Sequence, residues 1–206
     1  MADLSLGPGQ PRRYATMETV ALYRIALITL PLAMLIGCSS GTSNPPSTEN
    51  EDTPMADIEL ADATFKRILK KHGDDVDPSK IPIPQQTVML VYHSHGIIGN
   101  GGFQYLFEGD FPGDPEFLLT RQAYKTIGAS DASTAFEKAF AVFPNSTPPA
   151  DIDRRLEMWQ SKYNLMDAFE DKSSPDALYF DAMDGVMEKL NAYIKSNEAE
   201  FASLPE

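Results

Sequence analysis

Residues 96–107, Gly96-Ile97-Ile98-Gly99-Asn100-Gly101-Gly102-Phe103-Gln104-Tyr105-Leu106-Phe107, decide how this chain is read. An apolar run at helical spacing (Val88, Met89, Val91, Tyr92, His95) leads into Gly96, and Gly-Asn-Gly-Gly follows at 99–102. Phe103, Tyr105, Leu106 and Phe107 then fall within five positions. Glycine costs a helix or strand about 0.5–1 kcal/mol relative to alanine, and in return it permits positive φ and close backbone approach. Three glycines in four positions therefore read as an interruption of regular structure, with the preceding helix ending at Gly96. The expectation is a tight, partly buried elbow made of Gly99, Asn100, Gly101, Gly102 and Phe103. It turns an aromatic helix of about 102–108 back onto the helix before it, and Gly101 or Gly102 holds a conformation that a β-carbon opposes.

Outward from the elbow every segment has helical periodicity. Phe65, Ile68, Leu69 and His72 mark a first helix from Asp57 or Asp62 to His72, with Gly73 as its stop. A loop over 74–83 separates it from a helix over 85–95. Beyond the elbow, Asp114-Pro115 pairs a capping residue with proline at the first helical position and opens a helix to Ile127, stopped by Gly128. Ser130 or Asp131 caps the next helix, which carries Phe136, Ala139, Phe140 and Phe143. Asp151 opens a helix to about Phe169, with Leu156, Trp159, Tyr163 and Met166 on one side. A last helix, from about Asp176 to Ser196, presents Leu178, Met183, Val186, Leu190 and Ile194. No segment alternates with period two. The fold class is all-α, one compact domain over 57–206 with about six to seven helices.

The N-terminal part reads as addressing information. Residues 25–37 (IALITLPLAMLIG) are apolar and uncharged behind Arg24, shorter than the ~20 residues a spanning helix needs, which suits a secretory signal over 1–37. Met17 is the start that gives this signal an ordinary length. Leu35-Ile36-Gly37-Cys38 resembles the lipobox of bacterial lipoproteins, in which the cysteine becomes the lipid-bearing first residue. Cys38 is the chain's single cysteine, so no disulfide can form within it. Ser39 after that cysteine resembles the outer-membrane sorting of diderm lipoproteins, so the expected location is the outer membrane, facing the periplasm. The stretch 38–56 is polar and Pro-rich and reads as a flexible linker, with a reach of roughly 20–25 Å for about 17 residues.

Composition narrows the partners. The chain has 17 basic and 30 acidic residues, a net charge of −13. Without residues 1–37 it keeps 14 basic against 28 acidic, near −14. Nucleic-acid binding needs a basic footprint and is disfavoured, whereas a basic protein is a natural partner. Asp181, Asp184 and Glu188 lie three and four apart on the last helix and form one stripe; Asp167, Glu170 and Asp171 form another. These two rows are the candidate binding faces.

Catalytic and metal chemistry find little footing. His93 and His95 are two apart, so on a helix they diverge rather than share an ion, and no Cys or carboxylate completes a recognised ligand spacing. Gly96-x-x-Gly99-x-Gly101-Gly102 ahead of a helix has the outline of a phosphate cradle, but no Lys, Ser or Thr follows to complete it. Three histidines give a Ser-His-Asp arrangement no support. No cofactor, metal or catalytic residue is assigned.

Three blocks carry a resemblance: Asn100-Gly101-Gly102-Phe103-Gln104-Tyr105-Leu106-Phe107, then Ala123-Tyr124-Lys125-Thr126-Ile127-Gly128-Ala129, then Ala139-Phe140 with Phe143-Pro144. Together with a closing helix around Leu190-Asn191-Ala192-Tyr193-Ile194 and Phe201, they resemble a bacterial domain family that includes the C-terminal domain of a DNA-mimic protein. The resemblance spans roughly Leu60 to Phe201. It implies an all-helical domain and, for the mimic itself, occupation of a transcription factor's DNA-binding surface; it implies no catalytic residues. The resulting expectation is a non-enzymatic, lipid-tethered acidic domain that binds a protein partner in an inhibitor-like or immunity-like role. A DNA mimic proper is the alternative.

Overall fold

A computed structural model describes residues 54–163 and 171–206. Among the described residues there are seven α-helices and no strand: α1 (Pro54–His72), α2 (Ile83–Glu108), α3 (Leu118–Thr126), α4 (Ser130–Phe140), α5 (Ile152–Lys162), α6 (Pro175–Ser196) and α7 (Glu198–Phe201). Short 3-10 turns stand at Pro78–Lys80 and Pro144–Ser146. The all-α reading holds. The expected signal over 1–37, Cys38 and most of the 38–56 linker lie outside the described residues. Where that linker is described, at 54–56, it is already the first turn of α1.

Two helices organise the rest. α2 packs against α1, α3, α5 and α6, while α6 packs against α1, α2 and α4. Their shared interior is aromatic. Phe103 meets Phe136 edge-on at 5.0 Å and Tyr179 at 5.9 Å, and Phe107 meets Phe143 at 5.1 Å and Trp159 at 5.0 Å. Phe103, Leu106 and Phe107 are fully buried, and burial of each such side chain is worth about 1.5–3 kcal/mol. The same turn leaves Tyr105 on the outside, as helical geometry requires of a residue two positions from each of Phe103 and Phe107.

Helix ends follow the capping residues in part. Ser130 and Asp131, expected to cap α4, lie inside its first turn behind Ala129, which makes no side-chain capping bond. α5, expected to run to about Phe169, ends at Lys162 because Tyr163 is extended. Ser174 accepts from the N–H of Ala177 ahead of α6, and Asp151 accepts from the N–H of Arg154 ahead of α5. The helix expected to open at Asp114-Pro115 instead begins at Leu118, because Phe117 sits in the left-handed region at φ 56°. Asp114 still caps it from a distance, accepting from the N–H groups of Leu119 and Thr120 at 2.9 and 2.7 Å. The C-terminal residues are held against α1, where Arg67 donates to the carbonyls of Phe201, Leu204 and Pro205.

Candidate functional site

The elbow is narrower than the glycine spacing suggests. Gly96, Gly99 and Asn100 are helical, so the helix expected to end at Gly96 runs on to Asn100. An apolar helix flanked by packing partners tolerates isolated glycines at about 1 kcal/mol each, and contact with α6 outweighs that cost here. The Asn100 side chain donates to the Gly96 carbonyl at 2.8 Å and stays exposed. The break itself is two residues long. Gly101 is extended at φ −164°, while Gly102 has φ 68° and ψ −165°. Of the two expected glycines, Gly102 is therefore the one whose backbone disfavours a β-carbon.

What fills the break comes from α6. The Asp176 carboxylate accepts from the Phe103 N–H at 2.6 Å, supplying the N-terminal bond that a restarting helix lacks. A β-carbon built on Gly102 would stand 2.5 Å from Asp176 Oδ1, so the glycine also makes room for the carboxylate. Burial pushes the Asp176 carboxyl up, and the bond from Phe103 pulls it partly back. Gly99 faces the same helix, in close contact with the Met183 terminal methyl group.

At the other end of this aromatic turn stands a buried arginine that the sequence reading did not single out. Arg155, 1 % exposed, donates to the carbonyls of Phe107 (2.8 Å), Gly109 (2.7 Å), Pro115 (3.0 Å), Pro149 (2.9 Å) and Ala150 (3.5 Å). Its guanidinium lies over the Phe117 ring, 4.9 Å from the centroid. Asp176 was likewise read only as a helix start. One clue was available for the arginine: it stands amid Leu156 and Trp159, at a position the helical period assigns to the packed face.

A third polar cluster crosses the core. Ser94 of α2, Tyr124 of α3, and Tyr179 of α6 line up at 3.1 and 2.7 Å, and the half-buried His95 ring reaches Tyr179 through Nδ1 at 3.1 Å. His93 goes elsewhere, packing on Phe111 at 5.4 Å, and burial holds its imidazole below the ordinary value. The two histidines thus diverge, as their spacing requires. Among the described residues, no group of three or more His, Cys, Asp or Glu side chains is placed to hold a metal ion.

The acidic stripe on α6 is on the surface. Asp181, Asp184 and Glu188 are all exposed, and none is in an ion pair among the described residues. Exposed Lys189 and Lys195 follow on the same helix, and no acidic residue of α6 lies beyond Glu188. Of the second row, Asp167 and Glu170 lie outside the described residues. Asp171 is exposed but turned toward its own loop: it accepts from the Ser173 N–H at 2.8 Å, and hydrogen bonding to Ser173 holds its carboxyl below the usual range. A cavity of about 310 Å³ between α3 and α4 is lined by Lys125, Gly128, Ser130, Ser133, Thr134 and Glu137, and it includes no elbow or acidic-stripe residue. What this arrangement offers outward is a charged helix face, carried by a helix whose first turn clamps the elbow.

An all-helical domain built on a broken central helix is the class that these features define. Residues 79–197 match the family model described as DMP19-like protein, over more than half of the chain. The chain belongs to that family. The matched span lies within the Leu60–Phe201 resemblance and contains the elbow, Arg155, Asp176 and the α6 stripe. No curated protein and no solved structure matches the chain.

Proposed function

We propose that this domain is a non-enzymatic binding module that meets a basic protein partner through the exposed carboxylates of α6, held at the cell envelope by a lipid on Cys38. The observation that carries the reading is the contrast between the α6 stripe and the charged groups that are buried. Arg155, Asp114 and Asp176 are buried and committed to backbone partners, whereas Asp181, Asp184 and Glu188 face solvent in a row. A net charge of −13 adds a long-range field that steers a basic partner toward the domain.

Family membership favours a second reading, DNA mimicry. On a helix rising 1.5 Å per residue, Asp181 to Glu188 extends about 10 Å. Phosphates on one DNA strand recur every 3.4 Å along the axis, so three carboxylates over that length approach the charge density of a strand. The two readings differ in place: mimicry of DNA requires a cytoplasmic partner, and the lipid tether excludes one.

Capture of partners from native membranes by the tagged protein, at low and raised salt, tests both the face and the place. Exposed charge pairs are screened over about 8–10 Å at physiological ionic strength, so capture should weaken in salt and weaken again in an Asp181→Asn/Asp184→Asn/Glu188→Gln variant. Capture indifferent to both changes rejects the acidic face and moves attention to the surface beside Asn100 and Tyr105. Cys38→Ser should release the protein from membranes; unchanged fractionation and mass reject the tether. Wild-type protein found only in the cytoplasm favours the mimic.

A further inference from the structure

Residues 198–206, made of α7 and the turn after it, form a short strap beyond Asn197. Asn197 leaves the helical conformation at φ −118° and ψ 27° and closes α6 by itself. Its N–H reaches the carbonyls of Tyr193 and Ile194 at 3.1 Å, and its side chain donates to the Tyr193 carbonyl at 2.8 Å. The strap's own main-chain bonds stay local, from the Glu200 N–H to the Asn197 carbonyl and from the Leu204 N–H to the Phe201 carbonyl. Its polar ties across the domain are donated by side chains of α1 and α2. Arg67 donates to the carbonyls of Phe201, Leu204 and Pro205 at 3.2, 3.0 and 3.1 Å. Lys71 donates to the Ser203 hydroxyl at 3.3 Å, and Lys70 reaches the Glu206 main-chain oxygen. Phe201 and Leu204, three residues apart, are the strap's buried apolar side chains.

Gln85 fixes what such a seat accepts. The Glu200 carbonyl can only accept, so the Gln85 Nε2 group faces it at 2.9 Å. Oε1 is then left to take the hydrogen of His72 Nε2 at 2.8 Å. Gln85 is 2 % exposed with the strap in place, and a buried amide donor calls for an acceptor. We propose that α1 and the head of α2 form a docking seat for a short segment with apolar side chains three residues apart, free main-chain carbonyls and an acidic flank, and that the strap is its ligand in cis, swinging at Asn197. The charges agree: α1 contributes Arg67, Lys70 and Lys71, while the strap carries Glu198, Glu200 and Glu206, with Glu206 3.4 Å from Arg67. Because Asn197 closes α6, release of the strap leaves that helix complete. What it uncovers is a cationic seat on a domain whose overall charge is −13, a surface opposite in sign to the α6 stripe.

A fluorescent peptide of residues 197–206, titrated against the full chain by anisotropy, tests the seat. In Phe201→Ser/Leu204→Ser the chain's own strap loses its anchors, and this variant should bind the peptide. Wild type should bind it at least about tenfold more weakly, since its seat is filled and apparent affinity falls with the fraction left open. Adding Arg67→Met to the double variant should weaken binding by about tenfold or more, as loss of a charged donor does. A peptide of the same composition with Phe and Leu placed side by side should not bind. A folded double variant that ignores the peptide overturns the proposal, as does binding indifferent to Arg67→Met or to the order of the peptide. A double variant that fails to fold overturns it too, because a strap the domain needs for folding is not detachable.

Discussion

The short second limb of α2, from Phe103 to Glu108, is bounded by two buried charges of opposite sign, and they are held very differently. At its start, Asp176 takes one N–H, that of Phe103. At its end, Arg155 serves five main-chain carbonyls and the face of an aromatic ring. Each charge suits the end it occupies, since a helix is positive at its N-terminus and negative at its C-terminus. The difference lies in saturation. Arg155 has its donors distributed over five carbonyls, whereas the Asp176 carboxyl is shifted up by burial that a single hydrogen bond does not offset. A saturated buried charge holds its surroundings together; an under-bonded one is tolerated because of what it positions.

That contrast sets an order of effects. Arg155→Met keeps the length and removes the charge, leaving the buried Phe107 carbonyl and the part-buried carbonyls of Gly109, Pro115 and Pro149 without the guanidinium. Each unsatisfied group costs about 1–3 kcal/mol, so a loss above about 3 kcal/mol in chemical denaturation is expected. A loss smaller than that of Asp176→Ala would reverse the ranking and break the comparison.

Gly102→Ala comes next. The residue must hold φ 68° with its β-carbon 2.5 Å from Asp176 Oδ1, and strain at such positions is about 1–3 kcal/mol. Gly101→Ala is the control. Its φ of −164° is open to any residue, and its β-carbon would meet the Tyr105 ring at 2.2 Å, a side chain 47 % exposed and free to swing outward. Equal melting temperatures for the two variants would show that the elbow is set by crowding alone.

These two glycines mark how far the sequence could be read. Period and punctuation located α1 to α6, and Gly73, Gly128, Asp151 and the 174–176 region closed or opened them as expected, whereas the short α7 and the end of α5 at Lys162 were not read. The extent of the break was not legible, because Gly96 and Gly99 are chemically identical to Gly102. What separates them is the packing of α6, a contact about 75 residues away in the chain. Asp114 could be recognised as a cap, but the left-handed Phe117 that delays α3 could not, since nothing in its composition favours positive φ. Arg155 and Asp176 were hidden by their type: charged residues are almost never fully buried unless paired, and their partners are main-chain groups that carry no sequence signal. The α6 stripe was legible, because exposure on a helix follows from the period of its apolar residues.

The Asp176→Asn variant sharpens the comparison through pH. Asparagine can still accept from the Phe103 N–H, so at neutral pH the stability should stay within about 1 kcal/mol of wild type. A carboxyl whose folded value is raised contributes its stability in full below the unfolded value, near 3.9, and loses it as pH rises through the folded value. Wild type should therefore gain on Asp176→Asn as pH is lowered from 7 toward 4. Asp77, held down to about 2 chiefly by Ser79, acts in the opposite sense below the ordinary carboxylate range, but it is common to both proteins and cancels. A stability difference that does not change between pH 7 and 4 would mean the carboxyl does not feel its burial.

The smallest effect is expected on the outer side of α6. Asp181, Asp184 and Glu188 touch none of the buried network, and surface substitutions away from caps and networks stay within about 0.5 kcal/mol. Mutual repulsion among three carboxylates at helical spacing opposes folding slightly, so Asp181→Asn/Asp184→Asn/Glu188→Gln should leave the melting temperature unchanged or raise it a little. The sign matters more than the size. A stripe kept for stability would lose stability on neutralisation, as Arg155 does; a stripe kept for a partner would lose capture while the fold stays intact. A clear drop in melting temperature for the triple variant would place these carboxylates with the structural charges and leave the proposed binding face without its residues.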